Sequence, residues 1–213
     1  MGEDADAECG GEVKPRRWVT NSLPLHQILH IFTGLLPATG VSSADLRGKT
    51  VADIGSRLGN NILVAALLTE AHAAIGIEVN PTIAALSKEL IAESAVLTHA
   101  QAALFEPESR TTLSVLCSDV RAPLALQQLR DADVAIFFNP FELHTTREEH
   151  ADLLRLMAST IRKPGARVVT CPSMAEIWGR AGAEPEVLDG WLRLLASEDD
   201  VHAFEVLPEP GKK

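Results

Sequence analysis

The chain has 213 residues, 46% of them hydrophobic, and carries 19 lysines and arginines against 29 aspartates and glutamates, for a net charge of −10. This length and hydrophobic content suit one globular domain, and no apolar run reaches the roughly 18 residues that a membrane span needs. Direct binding to nucleic acid depends largely on neutralising phosphates and is not expected of so acidic a chain, whereas a basic protein partner suits its charge.

The predicted domain organisation has a single folded unit. Residues 1–13 are polar and are expected to form a disordered tail, residues 14–207 form the domain, and residues 208–213 form a loose tail. The N-terminal segment lacks the apolar core of a secretory signal. An intracellular protein, cytoplasmic or nuclear, with three reduced cysteines is the simplest interpretation, and the sequence leaves the oligomeric state open.

The first predicted element is a helix over residues 23–36, where apolar residues recur at helical spacing. His26 and His30 lie one turn apart on this helix, a spacing that could share a metal ion. No acidic third ligand is evident, so ordinary histidines are favoured and no metal site is predicted.

The stretch from residue 51 to residue 81 predicts a strand, a glycine turn, a helix and a second strand. Residues 51–54 form a short apolar run, as expected of a buried parallel strand. Gly55 and Gly59 follow, and Asn60 or Asn61 could cap the next helix. The second strand covers residues 73–77 and is followed directly by Glu78.

This arrangement is typical of a nucleoside site on a doubly wound sheet. Glycine allows the backbone to approach a ligand where a Cβ would collide, and an acid after the second strand can accept two hydrogen bonds from a ribose diol. The pattern Gly55-x-x-x-Gly59 lacks the third glycine of the dinucleotide fingerprint, so a nicotinamide-dependent oxidoreductase is disfavoured. Asp53, two residues before the turn, suits a ligand with a positively charged amino-acid tail.

The remaining sequence alternates between predicted helices and strands. The helices cover residues 81–97, 122–129, 147–161 and 186–197, and the strands cover residues 113–116, 133–138, 166–170 and 201–207. Thr145 with Glu148, or Thr146 with Glu149, could form a capping box at one helix start. The predicted fold is α/β, a Rossmann-like doubly wound and mostly parallel sheet of six or seven strands with an added N-terminal helix.

The segments Asp53-Ile-Gly-Ser-Arg-Leu-Gly59 and Gly76-Ile-Glu78 resemble the first and the ribose motifs of class I S-adenosylmethionine-dependent methyltransferases. Within that superfamily they are most similar to the non-SET histone lysine methyltransferases of the telomeric-silencing-disruptor type, which carry D-L-G-S-G-x-G. The resemblance implies S-adenosylmethionine as cofactor, and an adenine-binding role for Asp119. The cofactor-binding residues that it implies are Asp53, Gly55, Ser56, Gly59, Glu78, Val79, Asp119, Val120 and Asn139.

Asn139, Pro140 and Phe141 are the predicted catalytic residues. They follow the fourth strand, which in this topology lies beside the first. Amino-directed methyltransferases often carry N-P-P-F at this place, and the histone enzymes carry N-N-F, so the resemblance implies methyl transfer to an amine of a protein or another molecule. Side-chain and main-chain oxygens there could hold a neutral amine, although Asn-Pro is also a common turn.

A departure from the family keeps an alternative open. The histone enzymes carry a tyrosine-containing segment before the first strand, whereas residues 19–25 contain no tyrosine. A catalytically inactive domain of this fold, binding the cofactor and acting as a partner or scaffold, is the alternative function.

Overall fold

The structure, a computed structural model, describes residues 23–102, 111–138, 146–171, 190–198 and 200–208. Seven strands in this part form one sheet in the order β3-β2-β1-β4-β5-β7-β6. Strands β1 to β5 are parallel, and β7 runs antiparallel to both of its neighbours. The strands are β1 (Thr50–Ile54), β2 (Ala73–Glu78), β3 (Thr112–Cys117), β4 (Val134–Phe138), β5 (Arg167–Cys171), β6 (Leu192–Glu198) and β7 (Val201–Val206).

Helices cover both faces of this sheet. The N-terminal helix begins as α1 (Leu25–His30), continues through a π-helical segment (Ile31–Leu35) and ends as α2 (Leu36–Ala38). A 3₁₀ turn (Ala44–Leu46) precedes β1. The later helices are α3 (Asn60–Leu68), α4 (Pro81–Ala102), α5 (Pro123–Asp131) and α6 (Arg147–Thr160). The predicted α/β class, the added N-terminal helix and the mostly parallel sheet are thus confirmed.

The core consists of one apolar layer on each side of the sheet. On one side the N-terminal helix, α3 and α4 contribute side chains such as Ile31 and Ile62, and on the other α5 and α6 contribute Leu129 and Met157. From Val51 to Ile54 the central strand β1 is buried on both faces, which is why this stretch is mostly apolar, with Asp53 as the exception. Because β1 pairs in parallel with both β2 and β4, the carboxyl ends of these three strands lie at one edge of the sheet.

Local capping explains where two helices begin. Thr146 and Glu149 form a reciprocal capping box at α6, with Thr146 N donating to Glu149 Oε2 over 2.7 Å, so the second of the two predicted boxes is the one that forms. Helix α3 differs from the prediction. Gly59, in the left-handed region at φ 80°, occupies its N-cap, and neither Asn60 nor Asn61 caps the helix.

The predicted helix over residues 186–197 is wrong from residue 192 onwards, because β6 occupies this stretch. Its leucines fit a helical period equally well, but β6 pairs with β7 as a hairpin, and this long-range pairing overrides local propensity. Trp191, fully buried, precedes β6 and donates its Nε1–H to the carbonyl of Ile161 over 2.8 Å. Among the residues that the structure describes, the sheet therefore has seven strands, the upper of the two predicted numbers.

Two further findings concern predictions about the environment of the protein. Cys117, at the end of β3, is disulfide-bonded, so the prediction of reduced cysteines is wrong at this position. Within the described ranges, no helix has both the length and the apolar character to cross a membrane.

Arg167 joins three parts of the fold. Its guanidinium, on a side chain only 12% exposed, donates to the carbonyl of Thr39 over 3.2 Å and to that of Gly165 over 2.6 Å, and pairs with Glu205 at 3.5 Å. Replacing Arg167 with alanine leaves these acceptors without their donor, so we expect the free energy of unfolding to fall by about 2–4 kcal/mol in urea denaturation. Arg193→Ala removes a 63% exposed partner of the same Glu205 and should cost about 1 kcal/mol or less. Equal losses in the two variants would contradict a structural role for the Thr39 contacts.

Candidate functional site

Acidic side chains gather at the carboxyl edge of the first three strands. Asp53 lies opposite Gly76 in the β1–β2 register, and Glu78 lies opposite Cys117 in the β2–β3 register. The backbone N–H of Ser118 donates to the carbonyl of Glu78 over 3.0 Å, so Asp119 follows directly beyond this junction. Parallel strands thus bring three carboxylates from separate parts of the sequence to one edge.

The loop between β1 and α3, which we call the glycine loop (residues 55–59), is held against β2. The N–H groups of Gly55 and Ser56 both donate to the carbonyl of Ile77, over 2.9 and 3.1 Å. Gly55 has φ 71°, and a Cβ built on it would meet no atom within 4 Å. Open space beyond an exposed backbone is the condition for close approach of a ligand. At Gly59, by contrast, a Cβ would lie 2.8 Å from Ser87 Oγ, so that glycine allows the loop to pack on α4.

Arg57 stands between these two glycines with φ 52°. The left-handed region costs a residue with a Cβ on the order of 1 kcal/mol, and it is the conformation for which glycine is otherwise chosen. In the described part of the chain, the other non-glycine residue with positive φ is Asp200, in the β6–β7 turn. The sequence contains a signal for this feature, since D-L-G-S-G-x-G has glycine where this chain has Arg57.

Glu78 closes the glycine loop from the β2 side. Its carboxylate is 5% exposed, with Oε2 accepting from Arg57 N over 2.9 Å and Oε1 accepting from Asn80 N over 2.8 Å. A carboxylate oxygen has two lone-pair sites, so each oxygen keeps capacity for one more donor. The loop and the acid therefore position each other, and a diol arriving at this edge would find two acceptors.

Asp53 is the most deeply buried of the three acids, with 1% exposure. Its Oδ2 accepts from Asn61 Nδ2 over 3.1 Å, while its Oδ1 is buried and has no hydrogen-bond partner. Burial raises the pKa of this carboxyl to about 7, the Asn61 hydrogen bond opposes that rise, and the charge of Glu78 adds to it. Because a buried acceptor without a donor is rare in native proteins, a ligand ammonium group would fit here.

Three more buried polar atoms without partners lie in this region of the described structure, Ser56 Oγ, Asn61 Oδ1 and Ser87 Oγ. The involvement of Asn61 was not foreseen from the sequence, which suggested at most a helix cap. Its side chain reaches Asp53 only because α3 begins directly after the glycine loop, one turn above the end of β1.

Asp119 is engaged differently from the other two acids. Arg121 donates its Nε to Oδ1 over 2.9 Å and its Nη2 to Oδ2 over 2.6 Å, and the Arg121 backbone N–H donates to Oδ1 as well. These hydrogen bonds hold the pKa of the Asp119 carboxyl below its ordinary value. Nearby, Val79 is 40% exposed and Val120 is half-buried, so apolar surface is available beside the acid.

The predicted catalytic residues Asn139, Pro140 and Phe141 lie outside the described residues. Strand β4 is described to Phe138, and Phe137 lies opposite Ile54 in the β1–β4 register. The prediction that Asn139 faces the same cleft as Asp53 therefore stays a prediction.

No protein-family profile and no curated protein matches this chain. Solved structures do match. An O-methyltransferase from Bacillus cereus, in complex with SAH (S-adenosylhomocysteine), shares 11% identity over 89% of this chain and 84% of its own, with a TM-score of 0.54. The rRNA methyltransferase aviRa from Streptomyces viridochromogenes shares 16% identity over 87% and 85%, with a TM-score of 0.53. The chain thus has the Rossmann-like fold seen in these methyltransferases.

Proposed function

We propose that this protein is an S-adenosylmethionine-dependent methyltransferase that acts on an amine, of a basic protein or of another molecule. The proposal rests on the chemistry of one edge of the sheet. There the glycine loop is hydrogen-bonded to Glu78, and Oδ1 of Asp53 is buried without a partner. Fold alone does not imply function, but this edge offers the donor and acceptor set that an adenosyl amino acid requires. The similar structure from Bacillus cereus, described as in complex with SAH, supports the same ligand class.

Each described acid suits a different part of that cofactor. Glu78 has one acceptor site left on each oxygen for the two ribose hydroxyls. Asp53 Oδ1 is a buried acceptor for the α-ammonium group. Val79 and Val120 offer apolar contact to the adenine ring, and Asp119 is an acceptor for its amino group. When bound, the cofactor supplies a sulfonium methyl group, and the protein has mainly to orient the acceptor and exclude water.

The choice of an amine as methyl acceptor rests on the sequence Asn139-Pro140-Phe141. Side-chain and main-chain oxygens of the first two residues are suited to hold a neutral amine with its lone pair aimed at the methyl group, and Phe141 can shield it from water. The net charge of −10 favours a cationic protein over a nucleic acid as the molecule that carries the amine. The resemblance to the histone lysine enzymes points the same way.

Binding and transfer test the proposal separately. Calorimetry should show that the protein binds S-adenosylmethionine and does not bind NAD. Radiolabelled methyl transfer to histones and other basic proteins should then yield acid-stable label on lysine. Binding of NAD in place of S-adenosylmethionine would refute the proposal, and label on RNA in place of protein would overturn its substrate class.

Asn139→Ala provides a sharper test of the active site. We expect the variant to bind S-adenosylmethionine with an affinity close to that of the wild type but to transfer methyl groups at least about tenfold more slowly, because it loses a group that orients the amine. Calorimetry and initial rates measure the two effects. A parallel loss of binding and turnover would instead leave Asn139 with only the cofactor-binding role that the resemblance implies, or with a structural one.

The absence of tyrosine from residues 19–25, where the histone enzymes carry one, favours a second function, a cofactor-binding domain without turnover that serves as a partner or scaffold. At the adenine end, Asp119 Oδ1 accepts two hydrogen bonds from Arg121 and Oδ2 accepts one, so Arg121 competes with the adenine amino group for this carboxylate, which keeps one acceptor site on Oδ2. The second function predicts binding of S-adenosylmethionine without methyl transfer to any basic protein tested.

Removing Arg121 measures this competition. If Asp119 receives the adenine amino group, Arg121→Ala should tighten binding of S-adenosylhomocysteine by up to about fivefold, as expected from loss of a competing surface ion pair. Arg155→Ala, which removes a comparably exposed ion pair with Asp152, should leave the affinity unchanged. Weaker binding after Arg121→Ala would mean that Arg121 orients Asp119 rather than competing for it.

A further inference from the structure

Arg57 is a charged side chain at a backbone position suited to glycine. The residues of the glycine loop with positive φ are Gly55, Arg57 and Gly59, at 71°, 52° and 80°. A residue with a Cβ is sterically disfavoured in this region, and glycine at position 57 would adopt it without strain. Backbone strain next to a binding site is commonly associated with function.

The position of Arg57 in the site is fixed by its own backbone. Its N–H donates to Glu78 Oε2 over 2.9 Å, and the residue as a whole is half-buried. The backbone of Arg57 is therefore anchored to Glu78, one of the two buried acids of the site. Its Cβ starts from the loop that lies over the ends of β1 and β2.

Apart from Arg57 itself and Arg121, which pairs with Asp119 beyond the end of β3, the charged side chains described at this edge are acidic. Between residues 50 and 87 of the sequence, Arg57 is the single lysine or arginine, while Asp53 and Glu78 supply buried carboxylates at this edge. These carboxylates suit the hydroxyl and ammonium groups of an adenosyl amino acid, but they repel its carboxylate. That group needs a donor, and a guanidinium can bind a carboxylate through two parallel hydrogen bonds.

We propose that Arg57 binds the α-carboxylate of the cofactor's amino-acid tail, opposite Asp53, which binds its α-ammonium. This inference rests on the proposed function. It makes Arg57 a binding residue that distinguishes ligands with an amino-acid tail from plain adenosine derivatives. Arginine at this position carries backbone strain that glycine would avoid, and it supplies a guanidinium that can bind the carboxylate end of the ligand.

Two ligands separate this role from the rest of the site. S-adenosylhomocysteine carries the amino-acid tail, and 5′-methylthioadenosine has the same adenosine and sulfur without it. In calorimetry with Arg57→Gly, which suits the local backbone, we expect the Kd for S-adenosylhomocysteine to rise about 10- to 100-fold. The Kd for 5′-methylthioadenosine should stay within about twofold. Arg57→Lys keeps the charge without the planar fork and should recover part of the loss, and Arg155→Ala should change neither Kd.

Other outcomes overturn the inference. Unchanged or tighter binding of S-adenosylhomocysteine by Arg57→Gly would mean that the guanidinium does not hold the carboxylate. Equal changes for the two ligands would mean that Arg57 acts on the loop or the adenosine. If the wild type binds both ligands with the same affinity, the tail contributes nothing and this inference fails while the proposed function stands. If the wild type binds neither ligand, the proposed function fails and this inference with it.

Discussion

Replacing Glu78 with alanine is expected to weaken binding of S-adenosylmethionine by about 1–3 kcal/mol, which corresponds to roughly a 5- to 150-fold increase in Kd. The proposed ribose contacts are charge-assisted hydrogen bonds to a carboxylate that is 5% exposed, and solvent replaces them poorly at such a site. Calorimetry of S-adenosylmethionine binding measures the effect.

The same substitution should also loosen the glycine loop. The N–H groups of Arg57 and Asn80 lose their acceptor in Glu78→Ala, so we expect the free energy of unfolding to fall by about 1–3 kcal/mol in urea denaturation. Glu89→Ala, at an exposed position on α4, is the matched control and should leave both quantities nearly unchanged. Destabilisation with unchanged ligand affinity would remove Glu78 from the binding site and leave it a structural role.

Asp53 is expected to make stability depend on pH. Burial raises the pKa of its carboxyl from 3.8 to about 7 in the folded state, so between these values the folded protein binds more protons than the unfolded chain. The free energy of unfolding should therefore fall as pH rises through this window, and the full cost is present above about pH 7. The shift corresponds to a contribution on the order of 4 kcal/mol.

Asp53→Asn isolates this contribution, because asparagine has nearly the same shape and does not ionise. In urea denaturation at pH 5 and pH 8, we expect the stability of the variant relative to the wild type to increase by a few kcal/mol at the higher pH. Asp152→Asn, which alters a 69% exposed carboxylate, should differ from the wild type by about 0.5 kcal/mol or less at both pH values. The same pH dependence in the wild type and in Asp53→Asn would rule out a raised pKa at Asp53.

The proposed ammonium contact adds a second signature to the same residue. A cation beside Asp53 favours the ionised carboxylate, so binding of S-adenosylmethionine should lower its pKa and release protons near pH 7. Calorimetry in two buffers with different ionisation enthalpies measures that release, which Asp53→Asn should reduce. Identical proton release in the variant would place the ammonium group elsewhere.

The central βαβ unit was predictable because its signals are local. The apolar run before Gly55, the glycines at positions 55 and 59 and the acid at position 78 each follow from steric or hydrogen-bonding needs within a short stretch. Most strand boundaries lie within two residues of their predicted positions for the same reason. The Thr146–Glu149 capping box belongs to this class too, since its two members lie three residues apart.

The hairpin of β6 and β7 was only half predictable. Leu192, Leu194 and Leu195 carry no local preference strong enough to distinguish a strand from a helix, and the choice was made by pairing with β7 and packing beside Trp191. Such pairing joins segments that neither a helical nor an alternating pattern identifies.

The sequence by itself determined the order of the elements as far as β5, the glycine loop and the acids that end β1 and β2, because chain geometry and residue type specify these locally. Only the tertiary structure decided that Asp53 Oδ1 is buried without a partner. It also decided that Asn61 donates a hydrogen bond to Asp53 and does not cap the helix, and that Arg121 donates hydrogen bonds to Asp119. Burial and hydrogen-bond partnership depend on which segments meet in space. The surroundings of each carboxyl set its protonation state and the acceptor sites left on its oxygens, and these determine which ligand groups it can bind.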